Sequence, residues 1–141
     1  MKYLHLGLAL LVAAFLLFMG AQKFGAANPV FAYLAETSGI ALFEPVIRLA
    51  VGAGEIIAAA LILLAAFTGR LRGVGALLSA MVTAGALAFH LSPWLGINAP
   101  VAFAPGGGYE FSPMLFMMAV PFFVLSLLLV WLDRDALRKM V

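Results

Sequence analysis

The chain has 141 residues, 66% of them hydrophobic and 10% charged, with a net charge of +2 and no cysteine. So small a net charge, without a basic patch interleaved with aromatics, argues against nucleic acid as a partner. The lack of cysteine excludes a thiol nucleophile, a disulfide relay, a Cys-based zinc site and an iron–sulfur cluster, and the length leaves room for one compact bundle.

Lys2 precedes an apolar run over 6–21 that could be taken for a signal peptide. The run is long for a signal core and three more hydrophobic segments follow, so it reads as a retained first helix over about 3–21. The segment 22–45 follows as an outer loop, with Asn28-Pro29 and a short amphipathic stretch around 30–34. A second span of about 46–67 begins after Glu44-Pro45, with the proline suited to a first helical position, and ends before Thr68-Gly69-Arg70.

A third span of about 71–91 stops at Ser92-Pro93. The second outer loop, 92–112, is rich in Phe, Ala, Gly and Pro. Its Gly106-Gly107-Gly108 run permits a tight turn but lacks the lysine–hydroxyl pair of a phosphate loop. This loop reads as a partly apolar cap on the outer mouth. The fourth span, about 113–132, opens at Ser112-Pro113 and contains Pro121, which predicts a bend.

At 1.5 Å per residue, about 20 residues cross a hydrocarbon core of roughly 30 Å. Lipid leaves unpaired strands unsatisfied, so the segments read as helices. The expected fold is an all-α membrane protein, a single bundle of four transmembrane helices over 1–141. Lys2, Arg70, Arg72, Arg134, Arg138 and Lys139 fall on one side, which predicts cytoplasmic N and C termini, with Trp94 and Trp131 at opposite interfaces. The expected location is the bacterial inner (cytoplasmic) membrane, crossed several times. Small residues at four-residue spacing (Ala76, Ala80, Ala84, Ala88; Ala50, Gly54, Ala58) predict close packing of the second and third spans.

Glu55 lies inside an apolar segment, where a carboxylate is costly and marks a site by default. Glu44, Arg48 and Glu55 follow at spacings of four and seven, on nearly one helical face. Arg48 can pair locally with Glu44. Glu55, two turns deeper, needs a partner from another helix, a water or its own proton. His90, Gln22 and Lys23 fall at the outer level, as does Glu110, with Thr83 seven residues before His90 on roughly the same side.

Three readings of this cluster stay open: a buried polar lock, with Glu55 held by Lys23 or Gln22; a ligand- or proton-handling site formed by Glu55, Lys23, His90, Gln22, Arg48, Glu44 and Thr83; and a contact with a partner protein. No metal is assigned. His5 and His90 lie at opposite faces, and Glu55 with His90 offers too few ligands. Ser79 and Ser126 read as hydroxyls bonded to their own helices. No catalytic set is assigned, and whether the protein is an enzyme stays open.

Residues 15–24 read FLLFMGAQKF, and residues 55–70 read EIIAAALILLAAFTGR. Both resemble short signatures of DoxX-like membrane proteins, with Gly69 inserted between Thr68 and Arg70 here. The resemblance implies a four-helix membrane bundle associated with quinone-linked oxidoreductase systems, oxidative-stress complexes or receptor assembly. Gly20, Lys23, Glu55 and Arg70 match its recurring positions. Lys23 and Glu55 would be the functional pair, with Arg70 an interfacial anchor. The leading expectation is an accessory protein that binds a small amphiphile, a quinone or lipid, at a polar site near the outer face. The alternative is a non-catalytic assembly or stabilising partner of another membrane protein. The bilayer, a membrane-protein partner or a second copy are the expected neighbours.

Overall fold

The computed structural model describes residues 2–140, and for Lys2 the backbone alone. The Lys2 charge used in the orientation argument thus lies outside the described side chains.

Helix α1, Lys2–Ala21, continues as a 3-10 turn over Gln22–Phe24. Helix α2, Pro29–Ser38, is capped by Asn28, whose side chain accepts from Val30 N, and stops at Gly39 in the left-handed region. A second 3-10 turn, Ala41–Phe43, leads into α3, Val46–Thr68, which Gly69 terminates in the same left-handed way. Helix α4 is Val74–His90. Strands β1, Ala99–Phe103, and β2, Tyr109–Ser112, pair antiparallel, with a bulge between Pro100 and Ala102. Gly106, Gly107 and Gly108 all have φ near +100°, which side-chain-bearing residues rarely adopt, so the three glycines make this hairpin turn possible. Helix α5, Met114–Leu132, and the short α6, Arg134–Arg138, end the chain.

The four-span expectation is corrected. Among the described residues there are six α-helices, and three segments are long and apolar enough to cross a membrane: Tyr3–Phe24, Ala41–Thr68 and Met114–Leu132. The expected third span fails at its ends. Leu71 (φ 52) and Gly73 (φ +86) belong to the turn after α3, and Leu91 falls beyond the last helical residue. The remaining 17 residues rise about 26 Å, less than the roughly 30 Å of a hydrocarbon core. The segments expected as outer loops also hold more structure than loops, since 22–45 contains α2 and 92–112 contains the hairpin.

Polar and apolar residues are distributed inside out. Lys23, Arg48, Glu55, Ser79, Thr83, His90, Ser126 and Asp133 are buried, while Leu11, Phe18, Ile57, Phe67, Met81, Met117 and Val124 are exposed. Water would penalise both halves of that pattern, whereas lipid penalises neither. The protein is a helical, membrane-type chain.

Two packed cores form. One joins α1, α3, α4 and α5 through Leu8, Val12, Leu16, Ala58, Ile62, Ala76 and Leu129. Its closest contact uses Gly75, where an added Cβ would lie 2.6 Å from the Ile62 nitrogen and 2.9 Å from the Ala58 oxygen. Of the expected small-residue stripes, Ala58, Ala76 and Ala80 are buried, but Ala50 and Ala88 are exposed. The second core, Phe31, Leu34, Phe43, Leu95 and Ala99, joins α2 to the hairpin and its approach. Helix α2 and the hairpin are tied further: Tyr109 Oη donates to Glu36 Oε1 at 2.7 Å, and Tyr33 meets Tyr109 and Phe111 edge-on. Partial burial and the Glu36 carboxylate push the Tyr109 phenol up to about 12, so it stays a donor.

Candidate functional site

Between the two cores lies a cavity of about 400 Å³. Its wall is mainly apolar, from Phe15 and Met19 on α1, Leu34 on α2, Val51 on α3, Phe89 on α4 and Met118 on α5. Six polar residues reach it: Gln22, Lys23, Asn28, Glu55, Thr83 and His90. Phe15 lines the cavity while packing on the first core, and its ring stacks on Phe122 at 3.6 Å.

The central pair is Lys23 with Glu55. The 3-10 extension of α1 carries Lys23 one turn past the helix, and its Nζ folds back to donate to Met19 O at 3.1 Å. It also donates to Glu55 Oε1 and Oε2, at 3.0 and 2.8 Å. Two glycines allow this approach. An added Cβ at Gly52 would lie 2.8 Å from Lys23 Cβ, and one at Gly20 would lie 3.1 Å from Gly52 O. The backbones of α1 and α3 therefore meet beside the ion pair. Lys23 and Glu55 are only 7% and 8% exposed, so the pairing offsets a desolvation cost that neither group could bear alone.

Arg48 and Glu44 do not line the cavity. Arg48, 3% exposed, binds Glu44 Oε1 through Nε at 2.7 Å and donates Nη1 to the carbonyl oxygens of Lys23 and Gly25. It thus pins the segment that carries Lys23 and is a positioning residue. Glu44 precedes α3 rather than sharing its face, and its Oε2 is buried without a hydrogen-bond partner among the described residues. Glu110 sits exposed on β2, away from the cluster.

His90 ends α4, and its Nδ1 lies 3.0 Å from Gly96 O. A carbonyl can only accept, so in the neutral ring Nδ1 carries the proton and Nε2 is left as an acceptor. Thr83 donates to Ser79 O at 2.8 Å and Ala80 O at 3.2 Å. Gln22 is exposed at the rim. The site residues expected from sequence thus divide: Glu55, Lys23, His90, Thr83 and Gln22 share the cavity wall, and Arg48 with Glu44 stands behind it.

A second polar cluster, at the opposite end, escaped the sequence reading. Asp133, after α5, accepts from Arg72 Nε and Nη2 at 2.9 and 2.6 Å, and His5 Nε2 lies 3.1 Å from both its oxygens. His5, which the sequence places at the face opposite His90, thus belongs to this cluster. The signal was present: topology brings the start of the first apolar segment, the α3–α4 turn and the acid after the last segment to one end. The void beside this cluster is about 10 Å³, room for one water. Ser79 also departs from expectation, lying 2.7 Å from Ser126 Oγ across the α4–α5 contact.

Among the described residues no group of three or more His, Cys, Asp or Glu side chains is placed to hold a metal. Comparison with protein-family models, curated proteins and solved structures gives no match.

Proposed function

We propose that this is a membrane protein that binds a small amphiphile, quinone-like or lipid-like, in the cavity between its two cores. The observation that carries this reading is a 400 Å³ apolar cavity meeting a few buried polar side chains. Ligand sites commonly have this volume and composition. The ring or tail would occupy the Phe, Leu and Met walls, with the headgroup near Lys23, Glu55 and His90. The exposed Phe103, Phe111 and Trp94 around the roof suit a headgroup interface, as does Trp131, stacked under Arg134, at the other end.

A bacterial inner membrane is the location that fits this reading, with the end that carries Arg70, Arg72, Arg134 and Arg138 toward the cytoplasm and the cavity toward the outer face. A role beside a membrane oxidoreductase rests on the short DoxX-like motifs alone.

Mass spectrometry of an organic extract of the gently solubilised protein tests the binding reading. Gly85 lines the cavity, and an added Cβ there meets nothing within 4 Å. Gly85→Leu should therefore fill the site and remove a co-purifying amphiphile while the bundle stays folded. An amphiphile retained at the same stoichiometry in that variant would place it elsewhere and refute the reading.

A further inference from the structure

The hydrogen-bonding capacity of the cavity's buried side chains is one-sided. An ammonium has three protons, and those of Lys23 have three acceptors: Met19 O, Glu55 Oε1 and Glu55 Oε2. The single hydroxyl proton of Thr83 is directed at backbone oxygens of its own helix. The Nδ1 proton of His90 goes to Gly96 O. What remains is acceptor capacity, chiefly His90 Nε2. That atom has no hydrogen-bond partner among the described residues, yet it is not sealed, because the one buried and unpartnered side-chain atom among those residues is Glu44 Oε2. His90 lines the cavity with 5% of its surface exposed, so Nε2 retains access to open space there. The remaining polar wall residues, Gln22 and Asn28, are exposed and half-buried at the rim.

Charge is balanced as well. Lys23 with Glu55 sums to zero whether the shared proton sits on nitrogen or oxygen, and Arg48 with Glu44 forms a second pair behind it. A charged headgroup would meet no uncompensated opposite charge and would lose its hydration.

We infer that the cavity selects an uncharged amphiphile whose headgroup carries a free hydroxyl, which donates its hydrogen bond to His90 Nε2. This rests on the amphiphile-binding reading above and narrows it. An oxidised quinone presents only acceptors, and no buried side chain on the wall has a free donor for them. A reduced quinone and a neutral lipid alcohol, such as a monoacylglycerol, share the required chemistry. Ionised fatty acids and anionic phospholipids do not.

The test uses full-length protein in phosphatidylcholine vesicles with photoreactive aryl-diazirine probes: an alkylated hydroquinone, a monoacylglycerol, the O-methyl ethers of both, and a fatty acid. Cross-links are mapped to Met19 and Met118, both on the cavity wall and both half-buried. A hydroxyl probe should label these positions about tenfold more than its ether, the size expected for one buried hydrogen bond left unmade. His90→Phe should bring that ratio to about one by lowering the hydroxyl arm, with ether labelling retained as evidence that the cavity persists. Whichever hydroxyl probe labels more strongly identifies the source of the headgroup. Equal labelling by hydroxyl and ether in the unsubstituted protein overturns the inference and leaves the amphiphile reading standing, as does stronger labelling by the fatty acid. Labelling of the cavity by none of the probes overturns both.

Discussion

The two ends of the bundle solve the same problem differently. Each holds a buried acid met by side chains from other segments, Glu55 with Lys23 at one end and Asp133 with Arg72 and His5 at the other. Around Asp133 the helices close to leave about 10 Å³, whereas around Glu55 they part to leave about 400 Å³. The Asp133 cluster reaches the surface, with the Arg72 side chain 44% exposed. The Lys23–Glu55 pair turns into the bundle, and its side chains are 9% and 10% exposed. A buried ion pair is weak evidence for stability, since apolar packing could replace it. One placed against an open apolar cavity is better explained by what the cavity admits. A structural lock alone would be served as well by the closed geometry found around Asp133.

The largest predicted effect tests that difference directly. Lys23→Met strands the Glu55 carboxylate with no other cation in hydrogen-bond reach, which should destabilise the bundle by about 3–5 kcal/mol. Asp133→Asn keeps the shape of its side chain and leaves Arg72 free to turn to water, so it should cost about 1–2 kcal/mol. Unfolding in mixed SDS micelles measures both. Equal costs would mean that the two ends are alike, and that the lock reading of Lys23 and Glu55 is sufficient.

The next comparison runs along a single helix. On α4, Gly75 lies in the closed half against the backbone of α3, and Gly85 faces the cavity. Gly75→Leu would force a Cβ to within 2.6 Å of a backbone nitrogen that cannot yield, so α3 and α4 must separate. Such overpacking should cost about 3 kcal/mol or more. Gly85→Leu enters open space and gains helix propensity, so stability should hold or rise by up to about 1 kcal/mol. The same denaturation assay reads both variants. If Gly85→Leu destabilised as strongly as Gly75→Leu, the half around Glu55 would be packed rather than hollow.

These contrasts follow physical features that the sequence carries unequally. Apolar length revealed α1, α3 and α5, and the rarity of a carboxylate in such a run singled out Glu55. Helical spacing also brought Arg48 within reach of Glu44. The same reasoning overcounted at residues 71–91, because Leu71 and Gly73 look apolar or neutral in composition but take left-handed backbone angles. Nor did composition distinguish Ala50, which is exposed, from Gly52, which carries the close contact with Lys23. Both are small, and only the rotation of α3 against α1 separates them. The His5–Arg72–Asp133 cluster joins residues 61 and 128 positions apart, so no local pattern announces it. The cavity itself is a property of three-dimensional packing. Residues 30–34 were legible as amphipathic, but not as part of a roof joined to the hairpin through Glu36 and Tyr109.

The smallest effect probes the boundary between the halves, where Ser79 and Ser126 lie 2.7 Å apart and fully buried. The pair has a direction. Ser126 donates its only hydroxyl proton to Phe122 O at 2.8 Å, so the proton between the two serines belongs to Ser79. Removing Ser126 takes away the acceptor of Ser79, which must turn back to its own helix. Removing Ser79 leaves the Ser126 donor engaged. Interhelical hydrogen bonds within membranes average about 0.6 kcal/mol and reach about 1.7. Ser126→Ala should thus cost about 1 kcal/mol, Ser79→Ala about half as much, and the double variant no more than Ser126→Ala alone. A double-mutant cycle in the same micelle assay measures the coupling. Costs that simply add would mean that the two hydroxyls act independently, and the α4–α5 contact would then be held by shape alone, as α3 and α4 are at Gly75.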